Sequence, residues 1–407
     1  MNLSVMIQSQ AEIKQLLQQK IFAHPSINKF NSFSRVVFDR LSKCHTSRIG
    51  VHQFKCNNSS CNHVHYQYHS CGNRHCPNCG GLKRDAWIDD RMSELLPVKY
   101  YHVVFTLPQE LRSITMGNRK LMFDLLFQSA HYTLLKLGND PRWLGATLGI
   151  VSILHTHGQD LSFHPHIHCI VSGGGIDSNT KWKVNTRSND HFLFPRRIME
   201  MIYKAYFLKK MYRLLGDGEL LVDDAPTLIS NIETVRRKKW NVYAKAPFGG
   251  PSQILEYLGR YTHKVAITSH RILNITDQNI TFQYKDYSDK NKQKVMNLSI
   301  EEFLRRFEQH ILPTRFVKIR HAGYLATRGR TERIKNILFN MELPPPMPKV
   351  AISLVLRMLI KTGRDIRICP ICHNGILNLE KSMIMCNGTL VNITTLRNKG
   401  SPITKIS

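Results

Sequence analysis

Three histidines occupy alternate positions in the segment HPHIH, where His164, His166 and His168 follow an apolar stretch. If the segment is a β-strand, side chains two positions apart project from the same face of the sheet, so the three imidazoles lie close together. Imidazole nitrogens bind divalent metal ions, and imidazole also moves protons near neutral pH. The segment therefore predicts a metal site or an acid–base site, with His166 and His168 as the metal-binding pair and Ile167 packed in the core between them.

A pair of tyrosines, Tyr257 and Tyr261, lies in the segment YLGRYTHKVA. The segment has the pattern of a helix, on which side chains four positions apart share a face, so both hydroxyls can approach one site in turn. A tyrosine with its ordinary pKa of about 10 is a poor nucleophile at neutral pH, and His263 could assist its deprotonation. The pattern indicates either a pair of nucleophiles or an aromatic pair that packs on a sheet.

Cysteines are concentrated in residues 44–80, a stretch with few aliphatic side chains that cannot build a hydrophobic core by itself. A Cys-x2-Cys turn and a second cysteine pair together supply the four thiolates of a tetrahedral zinc site. We therefore predict a structural Zn²⁺ bound by Cys56, Cys61, Cys76 and Cys79. Further candidates in the same stretch could complete a second zinc site: Cys44, His45, His52, His63, His65, Cys71 and His75.

Three more cysteines lie towards the C-terminus, Cys369, Cys372 and Cys386, with His373 as a candidate fourth ligand. They are compatible with a degenerate zinc ribbon and equally with no metal. The chain shows neither an apolar run of about 18 residues nor a leader pattern, so we expect a cytoplasmic protein without a membrane span. In a reducing compartment, the ten cysteines are expected to be ligands, buried residues or reactive thiols rather than disulfides.

The charge balance is strongly basic, with 57 Lys and Arg against 29 Asp and Glu and a formal net charge of +28 over 407 residues. Such a field attracts polyanions, among which nucleic acid is the most common, although charge alone does not distinguish DNA from RNA. One basic segment is followed by Trp240 and Tyr243, a mixture typical of single-strand-binding surfaces, although a solvated loop would also explain it. Its candidate DNA-binding residues are Arg236, Arg237, Lys238 and Lys239.

Strands and helices alternate at hairpin-length spacing from residue 100 onward, which is typical of an α+β domain with a largely antiparallel sheet. Residues 196–216 predict one long helix, and Ser299 with Glu302 fits a capping box at the start of another. We expect three consecutive regions: a helical and zinc-binding DNA-recognition module at 1–95, a catalytic domain at 96–290, and a smaller accessory region at 291–407.

Taken in order, the segments SCGNRHCPNC, FTLP, HTHGQDLSFHPHIHCIVSGGG and YLGRYTHKVAI resemble the HUH endonucleases. More narrowly, they resemble the two-tyrosine rolling-circle transposases of bacterial insertion sequences, of the insertion-sequence ninety-one type. The resemblance spans residues 56–267 and is specific in the combination of motifs. Only RHAGYLA at residues 320–326 extends it into the C-terminal third.

This resemblance implies an HUH endonuclease domain in which His166 and His168 hold Mg²⁺ or Mn²⁺. It implies that Tyr257 or Tyr261 attacks a phosphate of single-stranded DNA and leaves a 5′-phosphotyrosine and a free 3′-OH, and that the second tyrosine permits strand transfer without ATP. The chain accordingly has no Gly-x4-Gly-Lys-[Ser/Thr] phosphate loop. The expected DNA partners are the element ends and the target, and the oligomeric state is left open.

A hard cation favours a third protein ligand, for which we select Gln159. His155, His164 and His263 are its competitors. Two alternative functions remain: a replication initiator or relaxase with the same chemistry, and a zinc-dependent nucleic-acid-binding protein without catalysis. A protein that only binds would not need both the histidine pair and the tyrosine pair.

Overall fold

The chain forms two compact units, and both contain helices and antiparallel sheets. The computed structural model describes residues 8–92, 94–184, 193–245, 253, 259, 266–287, 289–346 and 352–393. The first unit takes its residues from 1–80 and 349–407, and the second unit takes its residues from 81–348. None of the described helices combines the length and the apolar character that crossing a membrane requires.

The helices and strands follow one another irregularly along the chain, as expected for an α+β protein. The described α-helices are α1 (Gln10–Leu16), α2 (Ser32–Ser42), α3 (Gly81–Met92), α4 (Arg112–Gly117), α5 (Arg119–Asn139), α6 (Arg196–Gly216), α7 (Ala225–Arg237), α8 (Ile300–Glu308), α9 (Arg330–Asn340) and α10 (Leu354–Thr362). The described strands are β1 (Gly50–Cys56), β2 (Val64–Tyr68), β3 (Tyr100–Thr106), β4 (Thr147–His157), β5 (Phe163–Ile176), β6 (Trp182–Val184), β7 (Val242–Lys245), β8 (Ile272–Ile275), β9 (Asn279–Asp286), β10 (Lys292–Ser299), β11 (Ile319–Gly323), β12 (Leu377–Cys386) and β13 (Thr389–Asn392).

The first unit contains a four-stranded sheet in the order β13-β12-β1-β2. Strand β12 pairs antiparallel with β1 from Gly50 opposite Ile384 to Cys56 opposite Leu377. This pairing corrects the predicted division into consecutive regions at 1–95, 96–290 and 291–407. The last strands belong to the same sheet as the first ones because their backbone hydrogen bonds satisfy the edge of β1, and the N-terminal part of this unit ends at residue 80 rather than 95.

The second unit is built on an antiparallel sheet in the order β11-β4-β5-β3-β7, with β6 paired to the end of β5. Strand β5, which carries the HPHIH segment, lies between β4 and β3. A separate three-stranded sheet has the order β10-β9-β8. The predicted α+β class with a largely antiparallel sheet is therefore confirmed.

The two faces of the central sheet have different partners. One face packs on helices α5 and α6 through residues such as Phe105, Leu154 and Ile167, which are fully buried. On the other face, Ile153 and Ile170 pack against residues that include Trp87 and Ile88 of α3. Because successive side chains alternate between faces, the histidines of β5 lie on the side opposite the α5–α6 core.

Candidate metal centre and cysteine clusters

Three histidines from two neighbouring strands meet on one face of the central sheet. His155 of β4 lies directly opposite His166 of β5 in the antiparallel register, and His168 is the next residue of β5 on that face. Each histidine offers one ring nitrogen to a metal, and these three nitrogens lie within 4.8 Å of one another. The ring centroids are 4.9 to 5.3 Å apart. Three imidazoles at this spacing can bind one divalent ion.

Hydrogen bonds orient two of the three rings for that role. Nδ1 of His166 lies 2.6 Å from the His164 carbonyl oxygen, which can only accept, so this nitrogen carries the proton and Nε2 keeps a lone pair for a metal. Nδ1 of His168 lies 2.8 Å from Nε2 of His102 on β3, and the two rings are stacked. If Nε2 of His168 binds a metal, its Nδ1 donates to His102, which is the usual support for a ligating histidine.

The environment keeps these imidazoles uncharged. Burial is the main cause that lowers the pKa of His166 to about 3 and the pKa values of His155 and His168 well below the ordinary value of histidine. Nearby positive charge acts in the same direction, since Lys318 also lowers the pKa of His155. Neutral imidazole is the form that binds metals, and a basic surrounding suits an anionic phosphate.

The structure adds a third histidine, His155, to the predicted pair. Among the described histidines of the four candidates, His155 is the one whose ring nitrogen lies with those of His166 and His168. The backbone carbonyl of Gln159 accepts a hydrogen bond from the Arg271 side chain. Nδ1 of His164 accepts a hydrogen bond of 2.7 Å from Arg112. The fourth candidate, His263, lies outside the described residues. His155 shares the face with His166 because β4 and β5 are paired, a contact that sequence spacing does not reveal.

The predicted nucleophiles, Tyr257 and Tyr261, lie outside the described residues. Gly259, between them in the sequence, is described and lies against α3. A Cβ added to Gly259 would come 2.4 Å from Cδ1 of Ile88. Ile88 is among the α3 residues that pack on the histidine-bearing face of the sheet, so Gly259 belongs to the packing on that side.

The basic segment 236–239 is exposed, but the aromatic residue that follows it is not. Trp240 is only 2% exposed, and its indole N–H donates to the Val235 carbonyl over 2.9 Å, so it cannot stack on a base. Arg236 pairs with Glu233 at 3.5 Å, and Lys238 pairs with Glu110. Tyr243 is 49% exposed. The segment therefore offers exposed cations without the stacking partner that the sequence suggested at position 240.

Sequence reasoning did not identify His102 as part of this site. It lies in the apolar strand YYHVVFT, and the only sequence signal was a lone polar residue within that run. His102 and Tyr243 lie on neighbouring strands with ring centroids 6.4 Å apart. Lys245 lies directly opposite His102 in the register of β3 and β7. The histidine-bearing face of the sheet therefore continues from β3 to β7.

The cysteines form two clusters of four rather than the predicted set. Within each cluster, every Sγ atom lies within 4.8 Å of the other three. The first cluster contains Cys44, Cys71, Cys76 and Cys79, and the second contains Cys56, Cys61, Cys369 and Cys372. The predicted site of Cys56, Cys61, Cys76 and Cys79 is therefore divided between the two clusters, because β1 carries Cys56 to the start of β12 instead of towards Cys76.

The two clusters have the dimensions of zinc sites. With Zn–S bonds of about 2.3 Å, a tetrahedral site places its sulfurs about 3.8 Å apart. The Sγ atoms of Cys44 and Cys76 are 3.6 Å apart, and those of Cys71 and Cys79 are 3.7 Å apart. In the second cluster, backbone N–H groups of Asn374 and Gly375 lower the pKa of the Cys372 thiol to about 6 and so favour the thiolate.

Comparison with known proteins agrees with these features. Residues 149–333 match the family model described as a putative transposase, and residues 13–107 match the model of a transposase zinc-binding domain. The chain is 38% identical over 352 residues to the putative transposase y4qJ of Sinorhizobium fredii, covering 84% of this chain and 87% of that protein. It belongs to the insertion-sequence ninety-one type of transposases. The predicted family is therefore confirmed.

The transposase also matches a second curated relative and two solved structures. It is 31% identical over 319 residues to the transposase for insertion sequence element IS801 of Pseudomonas savastanoi pv. phaseolicola, covering 76% of this chain and 75% of the relative. Two structures of the conjugative relaxase TrwC in complex with oriT DNA show 10% identity over 39% of the transposase, with TM-scores of 0.23 and 0.22, and cover 69% and 68% of the relaxase chains. The zinc-binding family model and the cysteine clusters together support structural zinc in the transposase.

Proposed function

We propose that the transposase nicks single-stranded DNA and transfers it through a 5′-phosphotyrosine, with a divalent cation held by His155, His166 and His168. The observation that carries this proposal is the cluster of three imidazole nitrogens within 4.8 Å of one another on one face of the sheet. In this proposal the reaction supports rolling-circle-like movement of an insertion sequence. The element ends and the target are its single-stranded substrates.

The histidines would hold the cation through neutral nitrogens. A bound divalent cation would polarise the scissile phosphate and offset the negative charge that develops as the bond breaks. Imidazole ligands suit transition-metal ions better than Mg²⁺, which prefers oxygen, so Mn²⁺ fits this donor set better than Mg²⁺. His164 and His102 would fix the rings of His166 and His168 by their hydrogen bonds.

Basic side chains on the same face would bind the DNA backbone. Lys318 lies close enough to His155 and His168 to lower their pKa values, and the same charge would attract a phosphate. Lys245 lies opposite His102 on the edge strand β7. We propose that the exposed segment 236–239 gives additional backbone contacts, which position the strand without reading its sequence.

Either tyrosine, Tyr257 or Tyr261, would attack phosphorus with its phenolic oxygen. The phenol loses its proton as the bond from its oxygen to phosphorus forms, the bond from phosphorus to the 3′ oxygen breaks, and the 3′ oxygen takes up a proton. The phosphotyrosine conserves the energy of the broken phosphodiester, so rejoining to a 3′-OH needs no ATP. A second tyrosine allows a second cleavage while the first DNA end is still bound covalently.

His102 provides a test of how the metal site is oriented. We expect His102→Ala to weaken Mn²⁺ binding about 10- to 100-fold, because the ring of His168 loses its hydrogen-bond partner. Isothermal titration with Mn²⁺ measures this affinity. His131→Ala is the matched control. His131 lies on helix α5, on the other side of the sheet, and its Nε2 is 2.8 Å from the hydroxyl oxygen of Ser152. Equal Mn²⁺ affinity in wild type and His102→Ala would contradict the orienting role.

The proposed reaction is tested with labelled single-stranded oligonucleotides from the ends and flanks of the element. Purified protein is incubated with them and Mn²⁺, and covalent products are identified by denaturing gel and mass spectrometry. We expect a DNA adduct on Tyr257 or Tyr261 that disappears with EDTA and in the double variant Tyr257→Phe/Tyr261→Phe. The single variants identify the tyrosine that attacks first.

The same experiment distinguishes the alternatives. A protein that only binds nucleic acid would retain the oligonucleotides and form no adduct on any strand. A replication initiator or relaxase would form the adduct but would not join element ends to target DNA, so a strand-transfer assay with both substrates is included. Binding without an adduct, in the presence of Mn²⁺, would refute the proposed chemistry.

A further inference from the structure

Four cysteines from the two ends of the chain lie together in the first unit. We propose that Cys56, Cys61, Cys369 and Cys372 bind a structural Zn²⁺ that fastens the C-terminal hairpin β12–β13 to the N-terminal sheet. The zinc-binding family model covers residues 13–107, so two of these ligands lie far outside it. The proposal concerns the fold of the first unit and does not depend on the reaction proposed for the second unit.

The sulfur positions fit one tetrahedral ion. The Sγ atoms of Cys56 and Cys372 are 3.7 Å apart, and those of Cys61 and Cys369 are 3.8 Å apart. These distances match the value of about 3.8 Å between thiolates that share one zinc ion. They are far too long for disulfide bonds of about 2.05 Å. Each side of the site contributes two ligands, one pair from residues 56–61 and one from a Cys-x2-Cys turn.

Backbone hydrogen bonds hold the Cys-x2-Cys turn in the shape that such a site needs. The N–H of Cys369 donates to the Gly375 carbonyl at 2.8 Å, and the N–H of Gly375 donates to Sγ of Cys372 at 3.3 Å. The turn is also joined to the other pair of ligands. Asn57 donates its N–H to the Ile376 carbonyl at 2.9 Å and accepts the Ile376 N–H on Oδ1 at 2.7 Å. These hydrogen bonds therefore fix the position of the Cys369–Cys372 pair relative to the Cys56–Cys61 pair.

The C-terminal segment has almost no hydrophobic core of its own. Among the described residues 364–393, only Cys369 and Gly375 are buried. Large apolar side chains there are exposed, including Ile371 at 64% and Leu379 at 57%. A segment that buries so little apolar surface needs another source of stability, and a structural zinc ion supplies it in small modules.

Gly375 shows how tightly the cluster is packed. A Cβ at this position would come 2.2 Å from Sγ of Cys56 and 2.9 Å from Cβ of Asn58. Even alanine therefore forces the two halves of the cluster apart. Substitution at Gly375 disturbs the site without removing a ligand.

The ligands of this zinc are far apart in the sequence, since Cys56 and Cys372 are separated by 316 positions. The second unit, residues 81–348, lies between them in the chain. Closing a long loop costs more conformational entropy than closing a short one, so a metal ion that cross-links two distant segments is expected to stabilise the folded state more. The zinc would keep the C-terminal hairpin in the same sheet as β1.

Zinc content of the full-length protein tests the proposal directly. Elemental analysis of the purified wild type is expected to give two zinc ions per chain, one for each cluster. Cys369→Ser and Cys372→Ser are expected to lower the content to one, and Gly375→Ala to lower it towards one. Cys386→Ser is the matched control, because Cys386 ends β12 but belongs to neither cluster, and it is expected to retain two. A zinc content that stays at the wild-type value in Cys369→Ser and Cys372→Ser would overturn the proposal.

A measurement on the wild type alone covers the case in which the variants do not fold. Thiols are alkylated in the native protein with iodoacetamide and the modified residues are mapped by mass spectrometry. We expect Cys369 and Cys372 to be protected until a zinc chelator is added, while Cys386 reacts from the start. Alkylation of Cys369 and Cys372 as fast as Cys386 before chelation would refute the site.

Discussion

Replacement of His168 with alanine is expected to lower the rate of single-strand cleavage at least about 100-fold and to weaken Mn²⁺ binding strongly. His168 occupies the middle of the cluster, with its ring 4.9 Å from both His155 and His166. Its removal takes one of three ligands and also leaves His102 without the hydrogen bond that joins the two rings. Single-turnover cleavage of a labelled oligonucleotide over a range of Mn²⁺ concentrations measures both effects.

Two further variants decide the identity of the third ligand. His155→Ala is expected to resemble His168→Ala, whereas Gln159→Ala is expected to stay within about threefold of wild type, because His155 is the residue that joins the pair. His131→Ala controls for the loss of a buried histidine elsewhere, since His131 lies on helix α5 and hydrogen-bonds Ser152 of β4. A severe loss with Gln159→Ala and near-normal cleavage with His155→Ala would reverse the assignment and restore the ligand first predicted from the sequence.

Replacement of Cys76 with serine is expected to unfold the first unit. Cys76 is 5% exposed and shares its cluster with Cys44, Cys71 and Cys79. Structural zinc in small modules contributes apparent binding free energies of about 10–16 kcal/mol, so the loss of one thiolate removes a large part of the folding free energy. We expect wild-type protein treated with a zinc chelator to show the same loss.

Limited proteolysis and thermal unfolding measure this effect. In Cys76→Ser and in chelated protein, new cleavage is expected between residues 44 and 79, and an early unfolding transition should appear. Cys386→Ser, which removes a thiol outside both clusters, is expected to keep the wild-type pattern. A Cys76→Ser protein that kept its zinc content and its melting temperature would show that the first cluster is not a structural metal site.

Local features of the fold could be read from the sequence because they depend on near neighbours. The apolar periodicity of residues 196–216 predicts helix α6, which has the same bounds in the structure. Ser299 caps α8, since its Oγ accepts the N–H of Glu302 at 3.2 Å. The alternation in HPHIH predicts a strand, and β5 indeed contains it. Each signal is set by backbone geometry over a few residues.

These short-range patterns do not predict contacts between segments that are far apart in the sequence. Spacing alone paired Cys76 and Cys79 with Cys56 and Cys61, while the structure pairs the latter two with cysteines from the other end of the chain. A Cys-x2-Cys turn shows that two thiolates can bind one ion, but it does not show which other two cysteines complete the site. The same holds for His102, whose contact with His168 depends on the pairing of β3 with β5.

The sequence by itself determined the family, the antiparallel α+β class and the presence of both a histidine strand and a cysteine-rich module, since these are recorded in residue types and short-range periodicity. Only the tertiary structure decided which histidine lies beside His166 and His168, which cysteines lie close enough to share an ion, and that the chain's last strands complete the sheet begun by its first ones. The physical reason is that metal ligands are selected by distance in space. Strand pairing brings together residues whose separation in the sequence is unconstrained.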